Sequence, residues 1–126
     1  MAMAPWFPVA LGGALGSLAR YALSGWVQHA SGSLFPFGTL AVNVAGSFII
    51  GLVLGFDAER FLIPAPWRLF LTTGFCGGFT TFSTFSYETL ALIEDQQWWA
   101  AGGNALLNVA ACLAATLVGL VAARAL

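Results

Sequence analysis

The chain has 126 residues, of which 60% are hydrophobic and only 7% charged. Soluble domains carry about 25% charged residues, so a water-facing surface is excluded. A formal net charge of −1 says nothing about nucleic acid by itself, and without a single lysine there is no basic patch to argue from, so no nucleic-acid partner is expected. What remains is an all-α integral membrane protein. At about 20 residues per spanning helix, four spans with short loops use up the length, so residues 1–126 read as a single four-helix transmembrane domain. Four helices enclose little space, and any pore or cavity between them calls for more than one subunit.

The N-terminus lacks a basic region ahead of its first apolar stretch, which reads as a retained helix and not a signal peptide. This first span runs from Trp6 to Trp26, with an aromatic residue near each end as expected at the membrane interfaces. Gly12 and Gly16 form a GxxxG pair, and Gly13 with Ser17 repeats the spacing, which suits close helix packing. Arg20 lies in the last turns of this span. It either snorkels to the interface or lines an aqueous vestibule that attracts anions. Residues 27–36 are expected to form a polar turn, with the sole histidine, His29, in it as a solvated loop residue.

The second span runs from Phe37 to Phe56, with Ser47, Gly51 and Gly55 as a small-residue stripe. Thr39 and Asn43 are four residues apart and share a face. A buried amide in a bilayer needs partners, and two readings of Asn43 stand: glue between helices, or a pore lining whose NH₂ donates to an anion. Residues 57–66 hold two prolines and the densest charge, and Asp57, Glu59, Arg60 and Arg68 are expected to be solvated loop charges.

The third span, Trp67–Ile93, is longer than a bilayer needs, which fits a helix interrupted within the membrane. Its stretch from Gly74 to Glu88 gathers glycines, hydroxyls and phenylalanines. Glycines 74, 77 and 78 are expected to loosen the helix, leaving unwound carbonyls at Gly77–Thr80 suited to a hard cation such as Na⁺. Hydroxyls at Thr81, Ser83 and Thr84, and the positive ring edges of Phe82 and Phe85, suit an anion instead. The fourth span, Trp98–Ala123, carries a close-packing face of Ala111, Ala115, Gly119 and Ala123. A second, partly polar stripe of Asn104, Asn108 and Cys112 is unlike a lipid-facing surface. Cys76 and Cys112 read as free buried thiols, with no metal-ligand spacing. Arginine is split three to one between the two sides, a weak orientation signal that lets copies insert each way round.

Paired carboxylates within a span, a histidine beside a nucleophile and a phosphate-cradling Gly-Lys motif are all missing from the sequence, so the chain does not read as an enzyme. A small anion leaving water faces tens of kcal/mol in an apolar medium unless donors replace its hydration (roughly, by ion solvation), and the donors named above fit that task.

Three motifs carry a resemblance: Gly-Ser-Leu-Ala-Arg-Tyr at 16–21, Gly-Thr-Leu-Ala-Val-Asn at 38–43, and Gly-Gly-Phe-Thr-Thr-Phe-Ser-Thr-Phe-Ser-Tyr-Glu at 77–88. Together they resemble the Fluc (CrcB) fluoride channel family over all four spans. The resemblance implies a multi-pass channel of the cell inner membrane that lets fluoride leave passively and relieves its toxicity. It implies an antiparallel dual-topology homodimer in lipid, its third helix broken mid-membrane, with two fluoride pathways. A central Na⁺ is implied on the backbone carbonyls of Gly77 and Thr80 from both subunits. By the same resemblance, Phe82 and Phe85 face the anion and Asn43 is the pore amide. Thr81, Ser83 and Thr84 belong to the hydroxyl track, Arg20 guards the vestibule, and Glu88 couples to the pore hydroxyls. Asn104 and Asn108 would extend the anion pathway, although the family often has tyrosine or serine there. The alternative, a small four-helix dimeric multidrug or cation exporter, wants a carboxylate in the first span for proton coupling, and that span has none.

Overall fold

The computed structural model describes residues 4–60 and 62–126 as helices joined by short turns. Helix α1 (Trp6–Ser31) starts directly after Pro5 and ends at Gly32, whose φ of 60° turns its N–H back to the carbonyl of His29. A left-handed residue at this position is the usual glycine helix stop. The helix therefore outruns the expected boundary at Trp26, and His29 sits exposed in its last turn, not in a loop. Gln28 makes this possible by bracing the turn. Its Nε2 donates to the carbonyls of Ser33 and Phe35 while its Oε1 accepts from the Gly38 N–H.

Helix α2 (Phe37–Arg60) also runs past its expected end. Asp57, expected to be a solvated loop charge, instead faces Arg68 across the turn at 3.0 Å and takes the N–H of Ile63 on its other oxygen. Phe61 and the side chains of Glu59 and Arg60 lie outside the described residues.

The third rod is composite. Pro64 and Pro66 open the short α3 (Ala65–Leu69), a π-helical stretch follows over Phe70–Cys76, and α4 (Gly77–Phe79) closes the first half. The chain then extends at Thr80 (φ −92°, ψ 161°) and resumes as α5 (Ser83–Glu94). The long α6 (Trp98–Ala125) completes four rods. Phe37–Ala58 and Trp98–Ala125 are each long and apolar enough to cross a membrane.

Glycine contacts set the packing. A Cβ on Gly12 or Gly16 would meet the main chain of Phe70 or Phe75, and one on Gly78 would stand 2.6 Å from the carbonyl oxygen of Gly13. The GxxxG face of α1 thus seats the π-helical stretch and α4. Gly51 and Gly119 do the same for the α2–α6 crossing, each against the other helix's main chain. On α6 the two expected stripes are one. Ala101, Asn104, Asn108, Gly119 and Ala123 are its buried residues, because positions four apart followed by a step of three stay on one face of a helix.

Candidate functional site

The interruption in the third rod falls after the glycines, at Thr80–Phe82. Gly77 remains helical (φ −61°, ψ −38°), which corrects the expectation that Gly77–Thr80 is the unwound part. Gly74 and Gly78 serve close approach to α1, whereas the unwinding belongs to the hydroxyl residues. Thr80 Oγ1 donates to the Cys76 carbonyl, which also accepts from the Thr80 N–H. Such local hydroxyl bonds compete with the helix ladder.

An interrupted helix orphans its terminal backbone groups, and here three side chains satisfy them. Arg20 Nε donates to the Gly78 carbonyl at 2.9 Å. Asn43 clamps Thr81 from both sides, with Oδ1 accepting its N–H at 2.8 Å and Nδ2 donating to its carbonyl at 3.1 Å. Thr81 Oγ1 accepts the Thr84 N–H at 3.2 Å and so caps α5. The Thr81 and Thr84 N–H groups would, in a continuous helix, bond the carbonyls of Gly77 and Thr80. Their diversion leaves those two carbonyls without their helical donors.

Asn43 is itself held from behind. Its Nδ2 also donates to Asn108 Oδ1 at 2.9 Å, and Asn108 Nδ2 donates to the Oδ1 and carbonyl of Asn104. Asn104 Nδ2 in turn donates to Thr89 Oγ1, whose hydroxyl donates to the Phe85 carbonyl. Asn104 is fully buried, and Asn108 and Asn43 nearly so.

These elements flank an open groove of about 760 Å³, lined by Asn43, Gly77, Thr80, Thr81, Phe82, Phe85 and Asn108 among others. Phe82 stands in the open at 77% exposure, while Phe85 is buried with its ring edge-on to Phe82 at 5.4 Å between centroids. Ser83 and Thr84 are exposed on the first turn of α5. Thr81 and Ser83 hydroxyls stand 3.5 Å apart. Arg20 reaches the break through Gly78, and Glu88 and Asn104 stand outside the groove wall. Glu88 takes a hydrogen bond from the Thr39 hydroxyl, and its Oε1 is enclosed without a partner. His, Cys, Asp and Glu form no metal-binding group among the described residues.

Two further residues, Gly46 and Thr89, contribute to the site with little signature in the sequence. Gly46 leaves room for the Thr80 methyl, since a Cβ there would collide with it; its place three residues after Asn43 was the available signal. Thr89 joins Asn104 to the Phe85 carbonyl, and only the need of a buried Asn104 for a partner hinted at it.

Comparison with known proteins places these residues in a family context. Residues 7–120 match the family described as CrcB-like protein, Camphor Resistance (CrcB). The chain is 54% identical over 116 residues to a protein of Geobacter metallireducens named fluoride-specific ion channel FluC, covering 92% of this chain and 94% of that one. A protein of the same name from Pelobacter propionicus is 56% identical over 118 residues, 94% of this chain and 92% of the other. A third, from Sorangium cellulosum, is 48% identical over 98% of both chains.

Proposed function

The chain belongs to the CrcB family, and from that premise we propose that it is a fluoride-selective ion channel of the cell membrane, passing F⁻ down its gradient without chemical change. The observation that carries the reading is the Thr80–Phe82 break, where polar backbone, hydroxyls and ring edges converge on one groove wall beside Asn43. Fluoride is small and strongly hydrated, so its passage needs close hydrogen-bond donors, whereas a greasy opening would favour larger halides. Asn43 Nδ2, the hydroxyls of Thr81, Ser83 and Thr84, and the first N–H groups of α5 are such donors. The positive edges of Phe82 and Phe85 add a weakly polar wall. Arg20 contributes positive charge beside the break, and Glu88, bonded to Thr39, belongs to the same polar track.

The groove is open on one side, and a second copy in antiparallel orientation closes it, placing the break at mid-membrane and giving the assembly two fluoride pathways. Lipid covers the remaining apolar faces. Such a dimer also accommodates a sodium ion. Gly77 and Thr80 present neutral, hard carbonyl oxygens deprived of their helical donors, the ligand type Na⁺ prefers over soft or charged ligands. Two carbonyls from each copy would hold it, and its charge would offset the repulsion of carbonyl dipoles meeting at the dimer axis.

Efflux from liposomes containing the purified protein tests the reading. Fluoride escapes rapidly and chloride stays behind; equal leakage of both ions, or of neither, overturns it. Reconstitution with a large organic cation in place of sodium is expected to lower fluoride flux.

A further inference from the structure

The asparagine series on α6 has a feature that a row of ion ligands does not need: it runs in one direction and ends on the segment it started from. At one end stands the Thr81 N–H, which can only donate; at the other stands the Phe85 carbonyl, which can only accept. Thr89 gives its hydroxyl proton to Phe85, so Asn104 must offer Thr89 its NH₂. That turns Asn104 Oδ1 towards the Asn108 NH₂, and Asn108 Oδ1 towards the NH₂ of Asn43. Asn43 Oδ1 is then left facing the Thr81 N–H. Every amide orientation follows from the two backbone anchors, and bonds aligned in this way polarise one another.

We propose that Asn104, Asn108 and Thr89 are positioning residues: with Asn43 they form a one-way amide brace that grips both ends of segment 81–85 and locks Asn43 in a single orientation. The brace leaves Asn43 one N–H on the groove side, the one now on the Thr81 carbonyl, as the donor an anion can compete for. The other N–H is committed to Asn108 in the buried interior. Asn104 stands off the groove wall, and Asn108, which lines it, spends its NH₂ on Asn104 and so offers an anion no donor; both therefore act through Asn43 and do not contact the ion. The identity of that ion rests on the reading above; the brace itself does not.

Two measurements on the full-length reconstituted protein separate these points. Amide hydrogen exchange of the stretch holding Thr81–Phe85 is compared between the unaltered protein, Asn108→Leu and Asn108→Ser. Leucine removes the acceptor for Asn43 and the donor to Asn104, while serine keeps one of each. Exchange at Thr81 is expected to speed up about tenfold or more in Asn108→Leu, with recovery in Asn108→Ser; unchanged exchange in Asn108→Leu overturns the brace. The half-saturating fluoride concentration is then expected to rise several-fold in Asn108→Leu and in Asn104→Leu, with the double variant no worse than either because the residues act in series. Altered exchange with an unchanged half-saturating concentration overturns the positioning role. If the unaltered protein fails to favour fluoride over chloride, the reading of function falls, and exchange still decides the brace.

Discussion

Where α2 crosses α6, Gly51 and Gly119 each lie so close to the other helix's main chain that no Cβ fits. Where the third rod meets α2, the contact is made instead by Asn43, whose amide takes over the backbone bonds of Thr81. Both regions bury polar main chain against a neighbour, but only one is interrupted. Continuous helices satisfy their own N–H and C=O groups, so apposition there needs only small residues and dispersion contacts. An interrupted helix in an apolar surround must find outside partners for its orphaned groups, and the molecule supplies them from α1, α2 and, at one remove, α6. Close packing is a problem of volume; the break is a problem of valence.

Substitutions separate the two. The largest effect is expected at the glycine crossing: Gly119→Leu forces α2 and α6 apart and costs about 3 kcal/mol or more, read as loss of a monodisperse species in detergent. Asn43→Leu follows. It is close in volume but strands the N–H and carbonyl of Thr81 and the Oδ1 of Asn108; both residues line the open groove, where water takes up part of the loss, so the total cost is about 1–3 kcal/mol. Its thermal midpoint falls and its fluoride flux drops with it; a variant that melts normally would mean that the backbone at Thr81 finds another partner. Phe82→Ile sharpens the distinction, because a ring that exposed contributes within about 0.5 kcal/mol to stability. Flux should fall several-fold while the melting midpoint stays put, and parallel loss of both would place Phe82 in the packing. The smallest effect is expected away from both regions. The Asp57–Arg68 pair is partly exposed, so Asp57→Ala costs under about 1 kcal/mol, and the difference from the unaltered protein shrinks when salt screens the pair; melting in low and high salt checks this.

Much of the architecture was legible because membrane composition and helical period are local properties. Four rods, the GxxxG seat on α1 and the polar face shared by Thr39 and Asn43 follow from spacing alone. Boundaries were less accessible. That α1 continues to Ser31 depends on the Gln28 side chain reaching forward to Ser33, Phe35 and Gly38, a set of bonds with no periodic signature. Charges near the 57–66 turn looked solvated because the Asp57–Arg68 pairing joins positions 11 residues apart across it. The break lies at Thr80–Phe82 and not at the glycines before it for a general reason: glycine marks both flexibility and close approach, and only the presence of α1 against Gly74 and Gly78 shows which of the two applies.

By itself the sequence determined the class, four apolar rods, and the inventory of donors, because hydropathy and residue chemistry need no partner to be read. The motif at 77–88 added the family. What only the tertiary structure decided is where the Gly74–Glu88 stretch comes undone and what each polar group does there. Glycines hold the rod against α1, Thr80–Phe82 leaves the helix, and the asparagines of α6 stand behind Asn43. A side chain's hydrogen-bond partner is set by the helix packed against it, and three of those partners come from more than 30 residues away in the chain, at separations of 58, 38 and 65 residues.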